Sequence, residues 1–318
     1  MDYAQMGILI ITGILTSAVF TWSIIPVLRK MHTGQSIREE GPSTHRAKSG
    51  TPTMGGIAFI AAVALTCAVN RTISGELAVI LVSFVLFGAL GFVDDYIKVA
   101  KKHNLGLRAW QKLAVQTAIG IVVAILLSSV SAFGTMVRLP LVNAYVDFGI
   151  WYVPFVAFVL IATVNSVNLT DGLDGLAAGV TSVTALFFAI VGARLGAASG
   201  GCFCAALTGA CLGFLIFNKN PAKLFMGDTG ALALGGGLAA AAVAMNMALI
   251  LPIAGFVYVA EALSVIIQVA GFKATGRRVF KMSPLHHHFE LLGMPERQVV
   301  RMFWVLTAVF CLIGMWLM

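Results

Sequence analysis

"SVNLTDGLDGLAAG", Ser166 to Gly179, lies between two long apolar runs and carries two carboxylates, Asp171 and Asp174, with no Lys or Arg beside them. In a chain that is 59% hydrophobic and only 11% charged, such acids are either buried at membrane depth or mark a membrane surface and hold something positive. The flanking runs, about 150–166 and 175–192, are each close to the ~20 apolar residues that cross a bilayer. The stretch therefore reads as the joint between two membrane spans.

Working outward, runs of the same kind recur along all 318 residues, and the mean hydropathy is +0.94. That excludes a soluble globular domain. A β-barrel would show short alternating segments instead. The chain reads as an all-α polytopic membrane protein of about ten transmembrane helices, forming a single integral-membrane domain over residues 1–318. The spans fall at about 4–28, 53–69, 77–93, 111–133, 150–166, 175–192, 200–217, 230–246, 249–271 and 298–317. The N-terminal run lacks a basic leader and an A-x-A site, so it is expected to be kept as a span. No internal repeat is visible.

Of the 21 Lys and Arg, all but Arg71, Arg138 and Arg194 fall in or at the ends of alternate loops. The positive-inside rule places those loops in the cytoplasm and both termini on the periplasmic or extracellular side. The outward loop 134–149, "GTMVRLPLVNAYVDFG", alternates apolar and polar residues and is expected to form a small hairpin between spans four and five. The five cysteines all lie in apolar runs without His partners, and read as small buried hydrophobes.

Aspartate and histidine share this sidedness. Asp94, Asp95, Asp171, Asp174 and Asp228, with all six histidines, fall at the cytoplasmic side, and only Asp2 and Asp147 lie outside. The positive-inside rule makes no demand on Asp or His. One cytoplasmic site accounts for them.

"GFVDDYIKV" closes the third span with adjacent Asp94 and Asp95 and with Lys98 one turn on. Neighbouring carboxylates repel unless a cation sits nearby, and Mg²⁺ is the usual one beside phosphates. The plainer alternative is a solvated helix end with an i,i+3 ion pair, although acids at a helix C-terminus oppose the macrodipole. Asn168, Asp171 and Asp174 are spaced by three, so they share a face if the turn is helical. One of the two acids could instead cap the sixth span.

"FNKNPAKLFMGDTGAL" sets Asp228 between glycines just before a helix, with Asn218, Lys219 and Lys223 upstream. Such an N-terminus seats phosphate, and capping by Asp228 or Thr229 explains it about as well. In "MSPLHHHFELLG" three consecutive histidines cannot all point one way, so two could reach a nucleotide while the third packs. "STHRAKSGTPTMGG" mixes Lys48 and Thr53 with glycines. It suits phosphate better than a plain polybasic, lipid-contacting loop would, and its spacing is not that of a Walker A motif.

In this order, "DDYIKV", "NLTDGLDGLAAG", "FNKNP…MGDTG" and "PLHHHFE" closely resemble the phospho-N-acetylmuramoyl-pentapeptide transferase family. That family lies within the polyprenyl-phosphate N-acetylhexosamine-1-phosphate transferase superfamily. The resemblance runs from "THRAKSGTPTMGG" through the tenth span. It implies a homodimeric, Mg²⁺-dependent enzyme of the bacterial inner membrane with its active face in the cytoplasm. Such an enzyme joins UDP-MurNAc-pentapeptide to undecaprenyl phosphate, forming lipid I and UMP; no nucleic-acid partner is expected.

Carried onto matching positions, the resemblance makes Asp94 and Asp95 the acidic pair near the lipid phosphate, and Asp228 the metal-associated aspartate. His287 joins these three in catalysis. Asn168, Asp171, Asp174, Asn218, Phe225 and Gln268 would line the nucleotide pocket with His286, His288, Lys48 and Thr53. Lys98, Lys102 and Lys112 would line the phosphate and carrier-lipid region. The nearest alternative is a related transferase that uses UDP-GlcNAc. A secondary transporter would carry its acids mid-span at broken helices, and a scaffold would have no reason to gather Asp, Asn, His and Lys on one side.

Overall fold

The computed structural model describes residues 1–31, 50–70, 74–101, 106–142 and 144–318. Lys48 and Lys102 lie outside the described residues. The helices in chain order are α1 (Tyr3–Lys30), α2 (Gly56–Val69), α3 (Gly75–Lys101), α4 (Ala109–Val130), α5 (Tyr152–Thr170) and α6 (Leu176–Leu195). They continue with α7 (Ala198–Asn218), α8 (Gly227–Ala244), α9 (Leu251–Ala254), α10 (Phe256–Thr275), α11 (Leu285–Leu291) and α12 (Glu296–Trp316). Between α4 and α5 lies the expected hairpin. Strand β1 (Met136–Leu139) pairs antiparallel with β2 (Ala144–Asp147), Val137 opposite Val146.

Nine of these helices are long and apolar enough to cross a membrane among the described residues, so the protein is a polytopic helical membrane protein. The second expected span, 53–69, differs. Its helix begins only at Gly56 and has 14 residues, or ~21 Å at 1.5 Å per residue, against a ~30 Å hydrocarbon core. Residues 52–55 stay outside the helix, because the backbone at its start pairs with the segment before α8. Pro52 O accepts from Phe225 N at 2.9 Å, while Gly55 N and Gly56 N donate to Phe225 O and Met226 O at 2.9 and 3.0 Å. The ninth expected span, 249–271, is divided at Gly255 into the one-turn α9 and the spanning α10.

Two other helices outrun their apolar segments. The third, expected over 77–93, continues to Lys101, and the fifth, expected over 150–166, continues to Thr170. Polar residues prolong both because neighbouring helices satisfy them, as described below.

The centre of the bundle is α8, whose membrane window is 89% buried, against 22% for α10 at the rim. Its "GALALGGGLAAAA" run is mostly Gly and Ala, and at Gly235, Gly236 and Gly237 it lets α5, α3 and α7 approach closely. Aromatic rings fill what remains. Phe59 meets Phe214 and Phe84 meets Phe203 edge to face, with centroids 5.3 and 5.4 Å apart. All five cysteines are free and buried, as expected of small hydrophobes.

Candidate active site

The N-terminus of α8 meets the ends of α3, α4 and α5 at one end of the bundle. Gly91 allows this meeting: a Cβ there would collide with the Asp228 carbonyl, so α3 touches α8 backbone to backbone. One turn on, Asp95 is 3% exposed and receives the Asp228 amide at 3.2 Å, the Thr229 amide at 2.9 Å and the Thr229 hydroxyl at 2.7 Å. A carboxylate from a neighbouring helix thus caps α8, filling donors that an N-terminus leaves open. Gly227, at φ +70°, takes the left-handed turn that brings these amides round, and a side chain there would strike Asp95.

Asp228 is thereby presented beside Asp94 with its two oxygens separately held. Oδ2 receives Lys98 Nζ at 2.8 Å and Lys112 Nζ at 2.6 Å, and Oδ1 receives Asn168 Nδ2 at 2.8 Å. Asp94, 1% exposed, pairs with the same lysines at 2.6 and 3.6 Å and accepts the Leu107 amide at 2.8 Å. Two lysines thus face three acidic side chains. Asp94, Asp95 and Asp228 each bring an oxygen within 4.8 Å of the others. Hard oxygen donors at that spacing suit Mg²⁺, and Asp94 and Asp228 have fewer backbone claims on them than Asp95.

The segment Ser166–Gly179 does not form one continuous helix. Asn168 belongs to the last turn of α5, Asp171 is its C-cap, and residues 171–175 form a turn. The expected common face is therefore absent. Neither acid caps α6, whose N-cap is Gly175 without a side-chain bond. Asp171 lies near Asp228 and Asp95; burial, then these carboxylates, push its own up to about 8.

Asp174 turns away, accepting Asn220 Nδ2 at 3.3 Å and the Ala222 amide at 3.0 Å, while its own amide donates to Glu296 at 2.9 Å. Asn218 accepts the Gly175 amide at 3.1 Å and donates to Leu224 O at 2.9 Å. Both hold the two loops around the site. Thr53, 5% exposed, is brought to Gly227, and Phe225 to Pro52, by the backbone bonds that Pro52, Gly55 and Gly56 make with Phe225 and Met226.

The three histidines diverge on α11. His286 is the one that packs: it is 1% exposed, its Nδ1 lies 3.2 Å from Glu261, and its ring fills the place of a side chain at Gly172. α11 is thus seated against the turn that follows Asp171. His287 Nδ1 lies 3.0 Å from Glu290. His288 Nδ1 accepts the Lys281 amide at 3.2 Å, which leaves the ring N–H on Nε2. Gln268 accepts the Val279 and Phe280 amides at 3.0 and 2.9 Å and donates to Phe280 O at 3.0 Å, shaping the loop before α11. Glu261 and Glu296 lie outside the sequence-derived set. A lone acid within the apolar run of α10 was the available signal for Glu261.

An acidic cluster answered by two lysines, at one end of an apolar helical bundle, is the equipment of a membrane-bound transferase of phosphorylated groups. Residues 77–246 accordingly match the family described as Glycosyl transferase family 4. Residues 48–60 match the phospho-N-acetylmuramoyl-pentapeptide-transferase signature 1. The chain is 54% identical over 326 aligned residues to the phospho-N-acetylmuramoyl-pentapeptide-transferase of Alkaliphilus metalliredigens, covering 99% of this chain and 98% of the relative. It is 48% identical to that of Clostridioides difficile, covering 91% and 90%, and 47% identical to that of Staphylococcus carnosus, covering 98% of each. The chain belongs to the phospho-N-acetylmuramoyl-pentapeptide-transferase family.

Proposed function

We propose that this protein transfers phospho-MurNAc-pentapeptide from UDP-MurNAc-pentapeptide to undecaprenyl phosphate, giving lipid I and UMP. The observation that carries the reading is Asp228, held by Lys98, Lys112 and Asn168 beside Asp94 at the end of a membrane bundle. One substrate is a water-borne diphosphate and the other a lipid, so the reaction belongs at that boundary. Basic residues concentrated at the same end support a cytoplasmic active face in the inner membrane. A homodimer is part of the reading through the family resemblance.

The exchange replaces one phosphoanhydride by another, so it needs charge neutralisation and alignment more than energy. A lipid-phosphate oxygen attacks the β-phosphorus, which carries the sugar. The new P–O bond forms as the bond to the bridging oxygen breaks, and its electron pair leaves with UMP. Lys98 and Lys112 offer ammonium charge to the phosphates, and Asp94 orients the lipid phosphate or accepts its proton. Mg²⁺, when held by Asp228 and Asp94, supplies Lewis-acid stabilisation of the diphosphate charge. Asp95 sets the helix that carries Asp228.

The test is UMP release by the purified protein in detergent with undecaprenyl phosphate and either UDP-MurNAc-pentapeptide or UDP-GlcNAc. Turnover with the former alone is expected. Turnover confined to UDP-GlcNAc would move the chain to the GlcNAc-1-phosphate transferases. A phospho-sugar adduct trapped on the protein, with UMP released before lipid is added, would replace direct attack by a covalent route.

A further inference from the structure

The seam between α4 and α5 holds a polar pair that the chemistry above does not use. Gln116 of α4 is 1% exposed, and its carboxamide faces that of Asn165. The two amides bond reciprocally: Asn165 Nδ2 donates to Gln116 Oε1 at 2.8 Å, and Gln116 Nε2 donates to Asn165 Oδ1 at 3.4 Å. Asn165 Nδ2 also donates to Ile161 O in its own helix at 2.8 Å, which fixes its rotamer. A buried carboxamide in a membrane bundle is costly unless it meets a partner, so Gln116 has an energetic reason to stay closed on Asn165, which itself stands exposed at the edge of the seam.

Its place along the seam gives it a use. Lys112, Gln116 and Gly120 follow one another at intervals of four on α4, and Asn168 lies three residues beyond Asn165 on α5. At the inner rung, a Cβ on Gly120 would stand 3.2 Å from Ala157 Cα, so the helices are pressed together there. At the outer rung, Lys112 and Asn168 hold opposite oxygens of Asp228 at 2.6 and 2.8 Å. The amide pair lies between. The Gly120–Ala157 contact sets distance, yet a smooth contact leaves α4 free to slide or rotate against α5. Two antiparallel N–H···O bonds do not.

We propose that Gln116 and Asn165 form a positioning clamp that fixes the register of α4 against α5, so that Lys112 and Asn168 converge on Asp228. The clamp touches no reacting atom; it acts through the two residues one turn outward. The kinetic part of its test rests on the transferase reading above, and the labelling part does not.

The experiment compares the parent with Gln116→Leu, Asn165→Leu, the double Leu variant and the exchanged pair Gln116→Asn/Asn165→Gln in detergent. Activity is read as UMP release. Lys112 is read separately as its rate of acylation by a water-soluble amine reagent, followed by mass spectrometry. The Leu variants are expected to lose kcat by about tenfold or more, since ångström-scale misplacement costs up to ~10²-fold. KM and melting temperature should stay close to the parent, and Lys112 should be acylated several-fold faster. The exchanged pair keeps the combined reach of the two amides and should restore both readouts.

Parent-like Lys112 acylation in the double Leu variant would overturn the clamp, and so would a kcat loss that merely follows melting temperature. Failure of the exchanged pair to recover either readout would overturn it too. Faster Lys112 acylation in the variants, with a parent inactive on UDP-MurNAc-pentapeptide, would uphold the clamp and sink the transferase reading instead.

Discussion

Asp228 concentrates the chemistry because four residues from three other helices converge on it or beside it: Asp94, Lys98, Lys112 and Asn168. Replacing it by Asn keeps the volume and removes the charge that two ammonium groups answer. Asp228→Asn should lower transfer by at least about 100-fold, the scale of losing a preorganised electrostatic partner. Helical content by circular dichroism should stay that of the parent, and retained transfer would deny Asp228 its role.

Asp171 gives a second prediction at this scale. Its carboxyl is raised from 3.8 to about 8, chiefly by burial. Between those values the folded chain keeps a proton that the unfolded chain releases, so the folded state binds more protons. Stability should therefore fall as pH rises from about 4 to 8, by at most ~1.4 kcal/mol per pH unit from this group. Melting of the substrate-free protein across that range, against Asp171→Asn, reads the effect. The variant should flatten the slope, and an unchanged slope would contradict the assignment.

Among the elements, α8 depends on α3 for its start. Asp95 accepts three hydrogen bonds there, and nothing on α8 itself caps the helix by a side-chain bond. Asp95→Ala should cost about 1–2 kcal/mol, the range for a lost cap. Asp95→Asn, which keeps one accepting oxygen, should cost less. Thermal unfolding in detergent orders the three proteins. Equal melting of parent and Asp95→Ala would return Asp95 to the ligand role that adjacency to Asp94 suggests. The same element-scale reasoning separates Asp174 from Asp171. They stand three residues apart, but the turn at 171–175 sends Asp174 to Asn220 and Ala222.

For the whole molecule, the site stands where the ends of α3 and α5 meet the starts of α4 and α8, with α11 docked against the turn after α5. Lys98 and Lys112 pair directly with Asp94 and Asp228 and tie α3 and α4 to α8 through the protein's own charges, so a chelator should stop turnover without unfolding the bundle. EDTA is expected to abolish UMP release while the melting temperature stays near that of the untreated protein, and Mg²⁺ in excess should restore the rate. Activity that persists in EDTA would remove the metal from the reaction.

Much of this was legible in the chain. Apolar runs of about 20 residues announce spans because a bilayer imposes one length on every crossing helix. The hairpin at 134–149 shows in its alternation, and the strings around Asp94, Asp171, Asp228 and His287 carry the family. Tertiary structure alone decided which partner each polar group meets. It set Asp95 at the start of a helix more than 130 residues away, joined Asp174 and Asn218 to neighbouring loops, buried His286 against Glu261, and closed Gln116 on Asn165. The reason is physical. Span length and periodicity are properties of contiguous residues, whereas a buried hydrogen bond depends on the distance and rotation between helices far apart in sequence. Those are set only when the helices pack.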